Sequence, residues 1–354
     1  MRPGYWNDRV APVNPEATRC ALARWTNLAI PLGSLGLLEA SVVKIAGLIG
    51  TDKVDISRRA VLVMCADNGV VAEGVTQCGS DVTRIVAENI AGGNSSVCRM
   101  AEIANAAVIP VDIGMISRSE VPGILDRRVG PGTGNIAVGP AMSRQQALQA
   151  IEVGIDLVRQ KKEQGYTMFA TGEMGIGNTT TSSAVASILL GRPVSEVTGR
   201  GAGLSDAGLK RKIKVIEQAI ECNKPDPSDA LDILQKLGGF DLAGMAGVFI
   251  GGAIYRIPVM IDGFISAVSA LLAARLCPGC GCAMISSHVS AEPAGYMVLE
   301  ALDLKPMITA GLRLGEGTGA VCAWPLLDMA LAVYNDMLTF TDIGIEAYVP
   351  QEGV

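Results

Sequence analysis

Short apolar runs at residues 60–65, 107–111, 167–171, 258–261 and 283–286 each lead into a polar or glycine-rich segment, with helix-like stretches between them. This is the pattern of βα units wound around a mostly parallel sheet, and it predicts those five runs as strands. The clearest helix opens at Ser143. Ser143 and Gln146 form a capping-box pair, Leu148, Ile151, Ile155 and Val158 recur at helical spacing, and the helix should end near Gly165. A second helix is predicted after Gly177. A third carries Gly244, Gly247 and Gly251, whose missing side chains let another backbone pack closely.

The segments after the strands read ADNGVV, GEMGIGNTTT, DGF and SSHVSAE, so four strand ends deliver polar or glycine-rich sequence to one sheet edge. In open parallel sheets ligands bind there. The first 45 or so residues and the last 35 read as amphipathic helices. The expected fold class is therefore α/β: a large nucleotide-binding domain at 46–319 with a mostly parallel, Rossmann-like sheet, and a small helical domain made from 1–45 with 320–354.

Composition narrows the function. The 354 residues are 49% hydrophobic, enough for a substantial core, and the formal net charge of −6 offers no footprint for nucleic acid or an anionic membrane. The most apolar stretch, 243–276, is interrupted by Arg256, Asp262 and Arg275, which argues against a membrane span. The N-terminus lacks the apolar run of a signal peptide, and nine cysteines read as reduced thiols, so a cytoplasmic location is expected.

The strongest local signal is Gly172-Glu173-Met174-Gly175-Ile176-Gly177-Asn178-Thr179-Thr180-Thr181, between a strand and a helix. Read alone it is either a phosphate cradle of backbone N–H groups or a structural turn with a helix cap. It is neither a Walker loop nor a dinucleotide fingerprint. Gly199 to Gly203 precede Lys210, Arg211, Lys212 and Lys214, which either reach an anionic ligand or form a solvated helix face. Glu316 stands among Gly315, Gly317 and Gly319, an open carboxylate that partial desolvation would suit to general-base work.

His288 is the only histidine, so a zinc site needing two imidazoles is excluded; it reads as a loop hydrogen-bonder or a ligand contact. Cys277, Cys280 and Cys282 have no obvious fourth ligand nearby and read as free thiols rather than a metal site.

Eight ordered segments carry a resemblance: PLGSLG (31–36), VLVMCADNGV (61–70), GTGNIAVGPAMSR (132–144), GEMGIGNTT (172–180), KLGGFDLAGMAGV (236–248), DGF (262–264), SSHVSAE (286–292) and LRLGEGTGA (312–320). Together the chain resembles the nicotinate mononucleotide:5,6-dimethylbenzimidazole phosphoribosyltransferases of cobamide assembly over nearly its whole length. The resemblance implies nicotinate mononucleotide and a small aromatic acceptor as substrates, no cofactor or metal, and a homodimer, with a heterodimer with a paralogue as the alternative. It also implies that the acceptor attacks C1′ and nicotinate leaves.

By the same resemblance Glu316 is the catalytic glutamate, Glu173 a second carboxylate and Lys212 a lysine near the ribose phosphate. Gly175, Asn178, Thr179 and Thr180 match the phosphate loop; Gly201 and Ala202 match a Gly-x-Gly-Ala-Asn segment whose final Asn is Gly203 here. Asp262, Ser290, Gly315 and Gly317 complete the implied substrate contacts. The acceptor pocket maps onto Cys78 and Val86, where the family carries serine and glutamine, and onto the apolar Met174 and Leu314. Leu32 replaces a usual proline. These departures shift the expected acceptor toward phenolic compounds. A dinucleotide-dependent oxidoreductase and a partner subunit weakly active alone are the competing readings.

Overall fold

The run Arg59–Ala66 is buried along its whole length, and a strand hidden on both faces needs a covering layer on each side. In the computed structural model, which describes residues 4–349, it is the central strand β1. It pairs in parallel with β2 (Ala106–Gly114) and β4 (Met168–Met174), so that Leu62 sits opposite both Ile109 and Thr171. With β3 (Leu125–Asp126), β5 (Val259–Ile261) and β6 (Met284–Ser286) the order is β3-β2-β1-β4-β5-β6, every pairing parallel. The five expected strands are all present. The sixth, β3, is a two-residue edge strand too short to show a pattern.

This order reverses direction between β1 and β4, and the crevice beyond their C-terminal ends is the switch point where such sheets take ligands. Alternate side chains of β1 face opposite layers. Leu62 and Met64 enter a core with Ile151 and Phe249, while Val61, Val63 and Cys65 enter a second core with Trp25, Ile45 and Trp324.

The helix Arg144–Glu163 starts at the expected box: Ser143 Oγ accepts from the Gln146 N–H at 3.2 Å, and the Ser143 N–H donates to Gln146 Oε1 at 3.0 Å. It runs against the helix Phe240–Tyr255 backbone to backbone. A Cβ on Gly154 would lie 2.0 Å from the Gly244 carbonyl oxygen, and one on Gly247 2.0 Å from that of Ile151, so even alanine is excluded there.

The chain ends meet through the helices Pro15–Asn27, Leu37–Ile49 and Thr318–Asp336. The Ala29 N–H donates to the Leu338 carbonyl, the Phe340 N–H to that of Asn27, and the Trp25 and Tyr334 rings lie 5.1 Å apart. Residues 1–3 and 350–354 of the expected small domain lie outside the described residues. Among the described residues no helix is long and apolar enough to cross a membrane.

Candidate active site

Two turns at the C-terminal edge of the sheet have the same backbone logic. After β4, Gly177 (φ 92°) turns the chain into the helix Asn178–Leu190. Farther along, Gly315 (φ 89°), Glu316 (φ 61°) and Gly317 (φ 91°) turn it into Thr318–Asp336. Glycine takes this left-handed region freely, whereas a glutamate there is held at a cost. The second turn also touches the end of β4: a Cβ on Gly172 would lie 2.6 Å from the Glu316 carbonyl oxygen, and one on Gly315 2.5 Å from Glu173 Oε1.

Between them lies a cavity of about 230 Å³. Glu173 lines it from the end of β4, Gly175, Asn178 and Thr179 from the turn and helix start that follow, and Leu314, Gly315 and Glu316 from the second turn. Met174, Gly201, Ala202, Asp262 and Ser290 complete the expected residues on its wall. His288 lines it as well, with Nδ1 3.0 Å from Ser287 Oγ.

Other expected residues are not on this wall. Lys212 lies behind it, fully buried, its Nζ donating to Thr179 Oγ1 at 2.8 Å and to the Gly199 carbonyl at 3.2 Å. Thr180 is buried within the first helical turn. The Gly317 N–H is taken up by Asp262. Cys78 lines a smaller adjoining cavity of about 90 Å³ that shares the Gly175 to Thr179 turn and the Gly201-Ala202 segment. Gly203 adopts φ 102°, which explains a glycine where asparagine was expected, and its carbonyl accepts from Gln77 Nε2 at 2.6 Å. Val86 reaches neither cavity; it packs half-buried against the second core from the helix Asp81–Ala91.

The electrostatics are those of acids kept from water. Burial pushes the Glu173 carboxyl well above the usual carboxylate range, opposed by the Asn178 amide and reinforced by the charges of Asp241, Asp262 and Glu316. Burial also raises Glu316, with the Val97 backbone N–H pulling the other way; its Oε2 is buried with no hydrogen-bond partner among the described residues. The Lys212 ammonium, desolvated and opposed only by Glu292, is lowered to about 8. A carboxylate raised by burial on the wall and a lysine lowered to about 8 behind it therefore stand at one cavity.

Asp262 has both oxygens committed: Oδ2 accepts from the Gly317 N–H at 3.1 Å and Oδ1 from the Ala320 N–H at 3.0 Å. It caps the helix that follows Glu316. Sequence reasoning missed Asp241, Phe264 and Glu292. Phe264 and Glu292 line the cavity from segments already quoted, whereas Asp241 lies beneath it as the single acid of an otherwise apolar helix, a signal that could have found it.

Comparison with known proteins gives the family. A family model described as phosphoribosyltransferase matches residues 10–345. The nicotinate-nucleotide–dimethylbenzimidazole phosphoribosyltransferase of Ruminiclostridium cellulolyticum is 47% identical over 343 residues, 97% of each chain, and that of Acetivibrio thermocellus is 48% identical over 328 residues, 93% of each. The crystal structure of CobT from Thermus thermophilus superposes with a TM-score of 0.89 at 38% identity, covering 94% of this chain and 100% of that one. The chain belongs to the nicotinate-nucleotide–dimethylbenzimidazole phosphoribosyltransferase family and is a phosphoribosyl-transferring enzyme.

Proposed function

We propose that the protein transfers the 5-phosphoribosyl group of nicotinate mononucleotide to an aromatic lower-ligand precursor, giving an α-ribotide and nicotinate for cobamide assembly. The observation that carries this is the shared cavity, which brings Glu316 and Glu173 together with an uncapped helix N-terminus that has Lys212 behind Thr179. The helix N-terminus and the ammonium suit a ribose 5′-phosphate.

In this reading the acceptor's ring nitrogen or hydroxyl oxygen forms the new bond to C1′. The bond from C1′ to the pyridinium nitrogen breaks, its electron pair neutralises that nitrogen, and nicotinate departs. Glu316 takes the acceptor's proton. Glu173, whose burial disfavours its charged form, stays beside the ribose site. The donor is already activated by its ring charge, so the step as written needs no metal-bound pyrophosphate.

Met174, Phe264 and Leu314 give the cavity flat apolar walls. Dimethylbenzimidazole, which the relatives' names carry, is the first acceptor to test. Cys78 next to the Gly175 turn removes a hydroxyl that the family carries, which favours acceptors without polar substituents, phenol and p-cresol among them. The homodimer belongs to this proposal too, and sedimentation of the purified chain tests it.

The deciding experiment is nicotinate release from nicotinate mononucleotide with dimethylbenzimidazole, phenol and adenine supplied separately. Release with at least one acceptor supports the reading and ranks the pocket. A folded protein that releases nicotinate with none of them overturns it.

A further inference from the structure

Asp241 lies beneath the cavity without lining it. It is fully buried at the second residue of the helix Phe240–Tyr255, the helix pinned against Gly154 and Ile151. Its Oδ1 accepts from the Leu242 N–H at 2.9 Å and its Oδ2 from Asn178 Nδ2 at 3.0 Å. The same Asn178 nitrogen donates to Glu173 Oε2. A side-chain amide has two hydrogens, and here each serves one carboxylate. Were the amide turned over, its oxygen would face both acids, so the pair of carboxylates fixes its orientation.

The fit around Asp241 is close on every side. A Cβ on Gly175 would come within 2.8 Å of Asp241 Oδ2, and one on Gly239 within 2.3 Å of Oδ1 and 2.7 Å of Asn68 Oδ1. At the outer end, Glu173 Oε1 rests against Gly315, next to Glu316. A rigid helix, an acid, an amide and a second acid thus form a continuous line from the interior to the second turn of the site.

We propose that Asp241 is a positioning residue for phosphoribosyl transfer: through the Asn178 amide it holds Glu173 against the Gly315-Glu316 turn. The proposal rests on the function given above. It differs from a plain capping role, in which Asp241 would serve only its own helix. Burial raises the carboxyls of both Asp241 and Glu173, consistent with two acids that share one donor.

The test compares wild type, Asp241→Asn, Glu173→Gln and the double variant, by steady-state kinetics and by crystal structure. Asp241→Asn keeps the volume but places a donor among donors. It should lower kcat roughly ten- to hundred-fold, the scale of a catalytic group displaced by about an ångström. The KM for nicotinate mononucleotide should stay within about threefold, because ground-state binding is spared. The double variant should be no slower than Glu173→Gln, since the two residues act as one unit. Losses that multiply in the double variant overturn the proposal, as does an Asp241→Asn enzyme with unchanged kcat. The crystal structure reads positioning without activity: Glu173 displaced from Gly315 in Asp241→Asn supports the proposal, and Glu173 in place overturns it. If Asp241→Asn does not fold, Asp241→Ser, too short to reach Asn178, replaces it with the same expectations. A wild-type enzyme inactive with every acceptor would refute the proposed function, and the position of Glu173 would still decide the structural claim.

Discussion

The two turns that face each other across the cavity share a plan and differ in one detail. Each uses a left-handed glycine to start a helix at the C-terminal edge of the sheet. The helix at Asn178 has no side chain capping its first turn, and a lysine stands behind Thr179. The helix at Thr318 has its positive end filled by Asp262, which accepts from two backbone N–H groups. An open helix N-terminus attracts an anion, whereas one already neutralised by an internal carboxylate has little left to offer it. In the proposed function the first turn is the one that receives the phosphate. The second is built to hold Glu316 in a conformation that a glutamate does not take unaided.

Removing the base gives the sharpest contrast. Glu316→Gln should retain donor binding, because the phosphate side is untouched, and should lower kcat about 10²- to 10⁴-fold. Isothermal titration with nicotinate mononucleotide alongside nicotinate-release kinetics checks both halves. Loss of donor binding would show that the two turns are not separable. Because burial raises the Glu316 carboxyl and the base works ionised, the wild-type rate should rise with pH through that raised value, and the glutamine variant should lack this limb.

Lys212→Met tests the opposite turn. Losing a charge-assisted contact of about 1.5–3 kcal/mol should raise the donor KM by roughly ten- to a hundredfold. The wild-type protein should itself bind donor more weakly as pH rises through about 8, where the desolvated ammonium gives up its proton. Titrations from pH 7 to 9 on both proteins decide this, since the methionine variant should show no such fall. Asp262→Ala should have a smaller effect. Uncapping the second helix should cost about 1–2 kcal/mol of stability. It should reduce kcat more than donor affinity, and calorimetry paired with kinetics separates the two effects.

How far each turn was legible in the sequence follows from the same difference. Gly175, Asn178 and Thr179 are adjacent in the chain, so the first turn announced itself between a strand and a helix. Lys212 came only through the resemblance, because nothing in a run of four basic residues says which one turns inward to Thr179. On the second side Glu316 stood out among its glycines, yet the cap that holds it comes from Asp262, more than fifty residues earlier. Contacts of that range are set by topology and leave no local pattern. Asp241 escaped for a similar reason: its partners, Asn178 and the backbone of its own helix, meet only once the sheet is wound. Five of the six strands could be read directly from apolar runs and the two-residue β3 could not, while the strand order, set by long-range pairing, left no local pattern.

The smallest predicted effect concerns the two acceptor-pocket departures, which the structure treats differently. Cys78 stands on the wall of the small cavity that shares the first turn, and Val86 lies beyond both cavities against the second core. Cys78→Ser should therefore shift the relative KM of a phenol and dimethylbenzimidazole by a few-fold, the scale of about 1 kcal/mol for one hydrogen bond gained or lost at a partly wet wall. Val86→Gln should leave that ranking unchanged. Its cost should instead appear as a melting temperature lowered by about 1–2 °C, because an amide replaces an apolar group in a half-buried site and a change near 1 kcal/mol moves Tm by that much in a chain of 354 residues. Acceptor competition and thermal melts on the two variants read both effects. An acceptor ranking altered by Val86→Gln would mean that the helix Asp81–Ala91 swings toward the cavity when substrates bind, and the acceptor wall would then extend beyond the residues that line it here.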